Sequence, residues 1–168
     1  SHLTPPSARA LEDEVRLILS LGFNSARIHQ KVEDPRFHFW ADRLGLTLWG
    51  ETAAAYVFDS LAVARLTREW IDVVRDYESH PSIIAWVPFN ESWGVFQIDR
   101  TPEQRNYVQA LADLTRALDP TRPVVTNDGW EHTGSDLFTI HDYEQRGDVL
   151  SSRYTTDGLE AMLATTGP

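Results

Sequence analysis

The sequence predicts an α/β fold in which parallel strands alternate with flanking helices. One observation is the order of elements, because amphipathic helical segments and short apolar runs alternate along the chain, as in strands joined by right-handed crossovers. A second is that each apolar run ends abruptly in polar residues, as buried strands do at the open edge of a sheet. The clearest case is residues 82–89, which lead directly into Asn90 and Glu91.

The helices are predicted from apolar residues at helical spacing between residues that start and stop helices. These segments are residues 7–21, 35–45, 60–78 and 101–118, with a short further helix at 158–164. Ser7 and Thr101 are the expected N-caps of the first and fourth helices. The third helix is expected to bury its apolar residues, which are Leu61, Leu66, Trp70, Val73, Val74 and Tyr77.

Five strands are predicted between these helices. They are residues 25–29, 46–49, 83–89, 124–127 and 137–141. A complete eight-stranded α/β barrel typically needs at least about 200 residues. A chain of 168 residues is therefore either a smaller open α/β fold or a piece of such a barrel.

Composition excludes several classes of function. The formal net charge of −10 argues against a nucleic-acid or anionic-membrane partner, since both require a basic patch. The absence of cysteine excludes disulfides, thiolate catalysis and cysteine-ligated metals. No run approaches the roughly 20 apolar residues that cross a bilayer, and residues 1–10 do not resemble a signal peptide. The location stays open, with the cytoplasm favoured weakly, and no cofactor or metal site is predicted.

The polar residues at the strand ends, together with Trp93 and Trp130, are typical of a carbohydrate site. They are Arg27, His29, Glu51, Asn90, Glu91, Asn127, Asp128, His141, Asp142 and Tyr143. Amides and carboxyls hydrogen-bond sugar hydroxyls, while aromatic rings cover the C–H faces. Glu91 follows an apolar strand and has little structural reason to be acidic, so it is the candidate catalytic carboxyl. Nearby tryptophan is expected to desolvate it and raise its pKa, as suits an acid near neutral pH.

Structural roles compete with function at several of these positions. Asn127 and Asp128 are as well suited to capping a following helix as to forming a site. Arg27 could simply pair with a neighbouring carboxylate. Trp49 and Trp86 lie within strands and are expected to belong to the core.

Residues 80–94, His-Pro-Ser-Ile-Ile-Ala-Trp-Val-Pro-Phe-Asn-Glu-Ser-Trp-Gly, closely resemble the acid/base signature of glycoside hydrolase family 2. That family includes β-galactosidases, β-glucuronidases and β-mannosidases. Residues 22–27 resemble the second strand of its barrel, and residues 41–51 resemble the next helix and third strand. The similarity extends over about residues 8–146 in the family's order, which makes it more specific than an isolated Asn-Glu pair.

The resemblance implies a (β/α)8 TIM barrel and a retaining mechanism. Glu91 matches the general acid/base, and Asn90 the amide that binds the sugar 2-hydroxyl. Arg27 matches an arginine that supports the nucleophile, and Tyr143 a tyrosine that contacts it. The resemblance places further pocket residues nearby, namely Trp93, Trp130 and His141.

The sequence also departs from the family. The nucleophilic glutamate that ends the seventh strand has no counterpart, because Glu131, Asp142, Glu144 and Glu160 all stand in other contexts. Residues 1–168 are therefore expected to be a single incomplete barrel domain, holding about strands two to six and lacking strand one and strands seven to eight. Residues 27–31 also differ from the Arg-x-x-His-Tyr-Pro of many β-galactosidases, which leaves the sugar and any metal site of the parent open.

The leading hypothesis is thus a retaining β-glycosidase whose nucleophile lies outside this chain, so that the chain alone is expected to be inactive. The alternative is a non-catalytic carbohydrate-binding or interaction module, in which Glu91 only hydrogen-bonds a glycan. A third hypothesis, an unrelated hydrolase using Glu91 and His141, is disfavoured because there is no Gly-x-Ser-x-Gly motif. Exposed strand edges are expected to favour a homo-oligomer.

Overall fold

The computed structural model describes residues 4–166. Six helices and three strands form in this part of the chain: α1 Ala8–Ser20, β1 Ser25–Arg27, α2 Pro35–Leu44, β2 Thr47–Glu51, α3 Ser60–Tyr77, β3 Ile83–Val87, α4 Pro102–Leu118, α5 Gly147–Arg153 and α6 Thr156–Thr166. The strands are parallel in the order β1-β2-β3, so all three end at the same edge of the sheet. No helix in the described residues has the length and apolar character to cross a membrane.

The helix boundaries follow from local chemistry. The Ser7 side chain accepts a hydrogen bond from the Ala10 N–H and caps α1 as predicted. Gly45 adopts φ 80° and ends α2 in the left-handed conformation that glycine tolerates best. Thr101 occupies the N-cap position of α4, but its hydroxyl donates to the Gln97 carbonyl instead of capping.

The core lies between the sheet and the helices. In α3 the buried side chains are Leu66, Trp70 and Val74, spaced four residues apart along one stripe. The expectation that Leu61 is buried is wrong, because its side chain is 55% exposed. An α-helix turns by about 100° per residue, and Leu61 lies five residues before Leu66. Its side chain therefore points well away from the buried stripe that begins at Leu66.

The two later predicted strands do not form. Residues 124–127 meet β3 only through an isolated bridge between Trp86 and Val124, and a second bridge joins Asn90 to Asp128. Pro88 lies between these bridges and has no N–H to donate, so the ladder is interrupted there.

Residues 137–141 also remain irregular. The turn at residues 135–136 takes up the backbone hydrogen-bonding groups of residues 124–126. The Asp136 carboxylate accepts from the Val124 N–H, the Asp136 N–H donates to the Val124 carbonyl, and the Ser135 hydroxyl accepts from the Thr126 N–H. These contacts take the place that another strand would fill. Helix α5 was not predicted, and it begins without a side-chain cap.

The buried His38 of α2 packs against the partly exposed rings of Tyr77, at the end of α3, and His80. The His38 ring lies 4.5 Å from the Tyr77 ring and 5.1 Å from the His80 ring, and its Nδ1 has no hydrogen-bond partner. Burial, followed by the charge of His80, lowers the pKa of His38 to about 4, although Asp42 and Glu33 act in the opposite direction. His38 is therefore neutral in the folded protein at pH 5 and above.

Stability is expected to decrease as the pH falls from about 6.5 towards 4. Over this range the unfolded chain protonates His38 while the folded chain does not, and the loss reaches at most about 3 kcal/mol by linkage. Urea unfolding followed by circular dichroism at pH 7, 6, 5 and 4.5 measures it. A His38→Phe variant removes the share of this pH dependence of stability that His38 contributes. His29→Asn should remove much less of it, because burial and then the charge of Arg27 lower the pKa of the more exposed His29 to a smaller extent. Equal slopes in the wild type and His38→Phe would contradict the assignment.

Candidate active site

Arg27, at the end of β1, connects the ends of the other strands. Its Nε donates to Glu51 Oε2 at 2.7 Å, and its Nη1 lies 2.7 Å from Asp128 Oδ2. Its Nη2 donates to the side-chain oxygen of Asn90. The Glu51 and Asp128 side chains are buried, with 0% and 4% of their surface exposed. Arg27 does pair with neighbouring carboxylates, and in doing so it assembles the floor of the site.

Glu51 is the most enclosed carboxyl group of this floor. Burial raises its pKa above the ordinary value, while the Arg27 hydrogen bonds and the Gln30 N–H, 2.7 Å from Oε1, act against that rise. Glu51 therefore depends on Arg27 to remain ionised.

Glu91 is held by three donors from the chain after residue 128. Its Oε1 lies 2.6 Å from His141 Nδ1 and accepts from the Tyr143 hydroxyl at 2.5 Å, and the Trp130 side chain donates a further hydrogen bond. Burial raises the pKa of Glu91, but the bonds from Tyr143 and His141 together outweigh it, so the pKa falls below the ordinary value.

The expectation of a raised pKa at Glu91 is thus wrong for the chain as it stands. Tryptophan contributes a hydrogen bond to the carboxylate in addition to desolvating it, and donors to the charged form favour ionisation. Glu91 is a carboxylate at neutral pH, the form that accepts a proton.

The backbone at Glu91 is strained. Glu91 and Ser92 have φ 47° and 56°, in the left-handed region that side chains other than glycine rarely adopt. Asn127 holds this turn: its Oδ1 accepts from the Ser92 N–H at 2.9 Å, and its Nδ2 donates to the Ser92 hydroxyl at 3.0 Å. The Ser92 hydroxyl in turn donates to Glu131 Oε2 at 2.7 Å. Asn127 therefore positions the carboxyl-bearing turn and does not cap a helix.

His141 bridges two carboxylates. Its Nδ1 faces Glu91, and its Nε2 lies 3.0 Å from Asp128 Oδ2. Gly129 has φ 89°, and a Cβ at this position would lie 2.2 Å from the His141 ring. Only glycine leaves room for the ring that links Glu91 to the floor around Arg27.

Asn90 presents an unused donor at this site. The residue is 2% exposed, its Oδ1 is held by Arg27, and its Nδ2 has no partner. A buried amide N–H without a partner is costly, so its presence beside a candidate catalytic residue points to a ligand oxygen.

The structure brings most of the predicted site residues together. Hydrogen bonds connect Arg27, Asn90, Glu91, Trp130, His141 and Tyr143. Trp93 instead packs its ring at a tilt of 54° against Tyr56, with 5.2 Å between ring centroids. Ser92 and Glu131, which hydrogen-bond to each other, were given no role in the prediction. The sequence signal that could have found them is the polar character of both residues, Ser92 directly after Glu91 and Glu131 directly after Trp130. Within residues 4–166, no three histidine or carboxylate side chains are arranged to hold a metal ion.

Comparison with known proteins identifies the family. The family model described as "Glycosyl hydrolases family 2, TIM barrel domain" matches residues 7–157. The chain belongs to glycosyl hydrolase family 2. The prediction of a partial TIM barrel with parallel strands and flanking helices is confirmed by this match and by the three-stranded parallel sheet.

Two curated relatives of this family 2 chain are β-glucuronidases. One, a putative β-glucuronidase of Formosa agariphila, is 26% identical over 114 residues, covering 65% of this chain and 14% of the relative. The other, a β-glucuronidase of Bacteroides fragilis, is 25% identical over 124 residues, covering 68% of this chain and 17% of the relative. The chain therefore spans about a sixth of the length of these relatives.

Solved structures show the same fold. An FMN-binding β-glucuronidase from Facaelibacterium prausnitzii matches with a TM-score of 0.78 and 22% identity, over 94% of this chain and 26% of that one. Bacteroides uniformis β-glucuronidase 3 matches with a TM-score of 0.63 and 26% identity, over 70% of this chain and 16% of that one. The family 2 chain thus has the fold of one part of much larger glycosidases.

Proposed function

We propose that this chain carries the acid/base half of a retaining β-glycosidase active site. The observation that carries the proposal is the Glu91 carboxylate, held at the strand-end edge by Tyr143, His141 and Trp130. Membership of glycosyl hydrolase family 2 supports a carbohydrate substrate and glycosidic bond cleavage.

The residues divide into reacting and binding groups. Glu91 protonates the leaving oxygen in the first step and activates water in the second. The free Nδ2–H of Asn90 donates a hydrogen bond to a sugar hydroxyl, and Arg27 holds the amide in place by donating to its Oδ1. His141 and Tyr143 orient the Glu91 carboxylate, while Trp130 and Trp93 provide aromatic surface near it.

The lowered pKa of Glu91 suits the second step, in which a carboxylate accepts a proton from water. The first step requires the protonated form. A second carboxylate about 5–5.5 Å away, as in retaining enzymes generally, would raise the pKa of Glu91 through like-charge repulsion. We propose that completing the site with a nucleophile converts Glu91 into a proton donor.

The nucleophile is proposed to lie outside these 168 residues. Glu51 and Asp128, the two carboxylates of the floor, both pair with Arg27, and Glu51 is completely enclosed. An enclosed, ion-paired carboxylate is poorly placed to attack a sugar carbon. The chain is then a single incomplete barrel domain that is inactive alone, and the edge of β1 is available for self-association.

Hydrolysis of aryl β-glycosides tests the proposal, beginning with β-glucuronides because the curated relatives are β-glucuronidases. We expect no turnover by the 168-residue chain. In a longer chain that completes the barrel, we expect turnover that Glu91→Gln lowers about 10²- to 10⁴-fold in kcat/KM, the usual contribution of general acid–base catalysis.

Glu14→Gln, at an exposed position of α1, is the matched control and should retain full activity. Turnover by the 168-residue chain that depends on Glu91 would place a second catalytic carboxylate within it. Full activity of Glu91→Gln in the longer chain would contradict the role of Glu91. Sugar binding without turnover in the longer chain, unchanged by Glu91→Gln, would identify a carbohydrate-binding module instead.

A further inference from the structure

Three exposed aromatic rings contact one another in a row, and the middle ring, Trp93, follows Glu91 by two residues. The Tyr56 and Trp93 ring centroids lie 5.2 Å apart with 54° between the ring planes, and those of Trp93 and Phe96 lie 5.5 Å apart with 79° between the planes, so the row presents both faces and edges of its rings. Tyr56 and Phe96 are each 55% exposed, and Trp93 is 37% exposed. We call Tyr56, Trp93 and Phe96 the aromatic row.

The loops that carry the row are locked together. Gly94 has φ 82°, and a Cβ there would lie 3.3 Å from the backbone nitrogen of Tyr56, so the turn after Glu91 packs directly on the loop after β2. The Tyr56 hydroxyl donates to the Gln30 side chain at 3.2 Å, which ties in the loop after β1. Val95 and Ile98 are almost fully buried and anchor the segment around Phe96.

Backbone strain is concentrated in these same loops. Four non-glycine residues in the described part of the chain have left-handed φ values between 46° and 56°, namely Gln30, Tyr56, Glu91 and Ser92. Such conformations cost of order 1–3 kcal/mol each and persist where the surroundings over-determine them, as at ligand sites. The residues with strained backbone therefore belong both to the candidate catalytic turn, at Glu91 and Ser92, and to the aromatic row and its support, at Tyr56 and Gln30.

The geometry points to the aromatic row as the binding platform for the leaving group, the aglycone, and to a flat apolar ring as the aglycone it selects. This inference rests on the proposed function. Glu91 delivers its proton to the oxygen that joins sugar and aglycone, and Trp93 follows Glu91 by two residues in the same locked turn. The aglycone must therefore leave from beside this turn.

The chemistry of the row favours an aromatic aglycone over a second sugar. Phe96 presents only ring carbon, Trp93 offers a single indole N–H as a donor, and the Tyr56 hydroxyl already uses its proton on Gln30. A pyranose requires hydrogen bonds in its ring plane in addition to stacking, whereas an aromatic ring gains chiefly from stacking and apolar burial.

The test compares matched ligands on the 168-residue chain, which contains the whole row. Phenyl and methyl β-glucuronide, and the corresponding pair of β-galactosides, are titrated while NMR follows the backbone amides of residues 91–94. We expect the phenyl glycoside to bind about threefold to tenfold more tightly than the methyl glycoside, the factor that aromatic contacts usually give. Trp93→Ala and Phe96→Ala should each bring this ratio close to one.

Phe23→Ala is the matched control, because Phe23 is 61% exposed and lies in the loop before β1, at the opposite end of that strand from Gln30. It should leave the ratio unchanged. Phe96→Ala removes an exposed ring, so a folded variant is available even if Trp93→Ala loosens the turn. Equal binding of phenyl and methyl glycosides, no binding of either phenyl glycoside, or a ratio unaffected by both row variants overturns the platform.

Two further arms separate this inference from the proposed function. A disaccharide with a β-linked glucose as aglycone that binds more tightly than the phenyl glycoside would overturn the aromatic preference. Phenyl and methyl glycosides that bind equally, and are both lost in Asn90→Ala, would remove the platform and leave the glycosidase proposal standing. Phenyl binding that depends on the row but not on Asn90 would uphold the platform and remove the proposed sugar site.

Discussion

Arg27→Ala is expected to destabilise the chain by about 3–5 kcal/mol, the cost of breaking a buried ion pair by removing one partner. The variant leaves the Glu51 and Asp128 carboxylates buried without their counter-charge. It also removes the donor that holds the Asn90 side-chain oxygen. Since domains are stable by only about 5–15 kcal/mol, such a loss is a large share of the total.

Urea unfolding measures this loss. Arg16→Ala is the matched control, because Arg16 pairs with Glu12 on the surface of α1 and should change stability by less than about 1 kcal/mol. Arg27→Lys keeps the charge but not the fork of donors, so it should fall between the two. Adding Glu51→Gln to Arg27→Ala should recover part of the loss. If Arg27→Ala and Arg16→Ala cost the same, Arg27 does not neutralise a buried pair.

The predicted fold was most accurate where local chemistry decides the outcome. Helix caps such as Ser7 and stop residues such as Gly45 act on their own neighbours, so α1–α4 begin and end close to the predicted positions. The later strands required a partner strand to pair with. Pro88, just after β3, interrupts the pairing of that segment with residues 124–128. On the opposite edge of residues 124–128, hydrogen bonds from the Asp136 turn to Val124 take the place of a further strand. These are contacts between distant segments, which periodicity does not show.

The site divides in the same way. Parallel strands end at one edge, so polar residues after β1, β2 and β3 were expected to meet, and Arg27, Glu51 and Asn90 do lie together. The sign of the pKa shift at Glu91 depends on donors 50 and 52 residues away along the chain, so sequence could not determine it. The left-handed backbone at Glu91 and Ser92 could not be predicted either, because neither residue is the glycine that usually adopts this conformation.

Trp86→Ala is expected to cost about 3–5 kcal/mol, as truncation of a buried tryptophan does. Trp86 is fully buried in β3, meets the Trp70 ring edge-on at 5.9 Å, and donates its indole N–H to Asp119 at 2.8 Å. The neighbouring strand rests directly on its ring, because a Cβ at Gly50 would lie 2.6 Å from it. Truncation therefore opens a cavity below the strand ends that carry Glu51 and Glu91.

Thermal and urea unfolding of Trp86→Ala and Trp86→Phe separate packing from hydrogen bonding. Phenylalanine keeps much of the ring but not the N–H, so its loss should approach the 0.5–3 kcal/mol range of a hydrogen bond to a charged or neutral partner. Trp93→Ala is the control for removing the same side chain at a 37% exposed position, and should cost less than half as much as Trp86→Ala. Similar losses at residues 86 and 93 would mean that β3 is not the packed centre of this barrel segment. A large loss of stability in Trp86→Ala but not in Trp93→Ala would support a role for the buried Trp86 ring in holding β2 and β3 together, and with them the positions of Glu51 and Glu91.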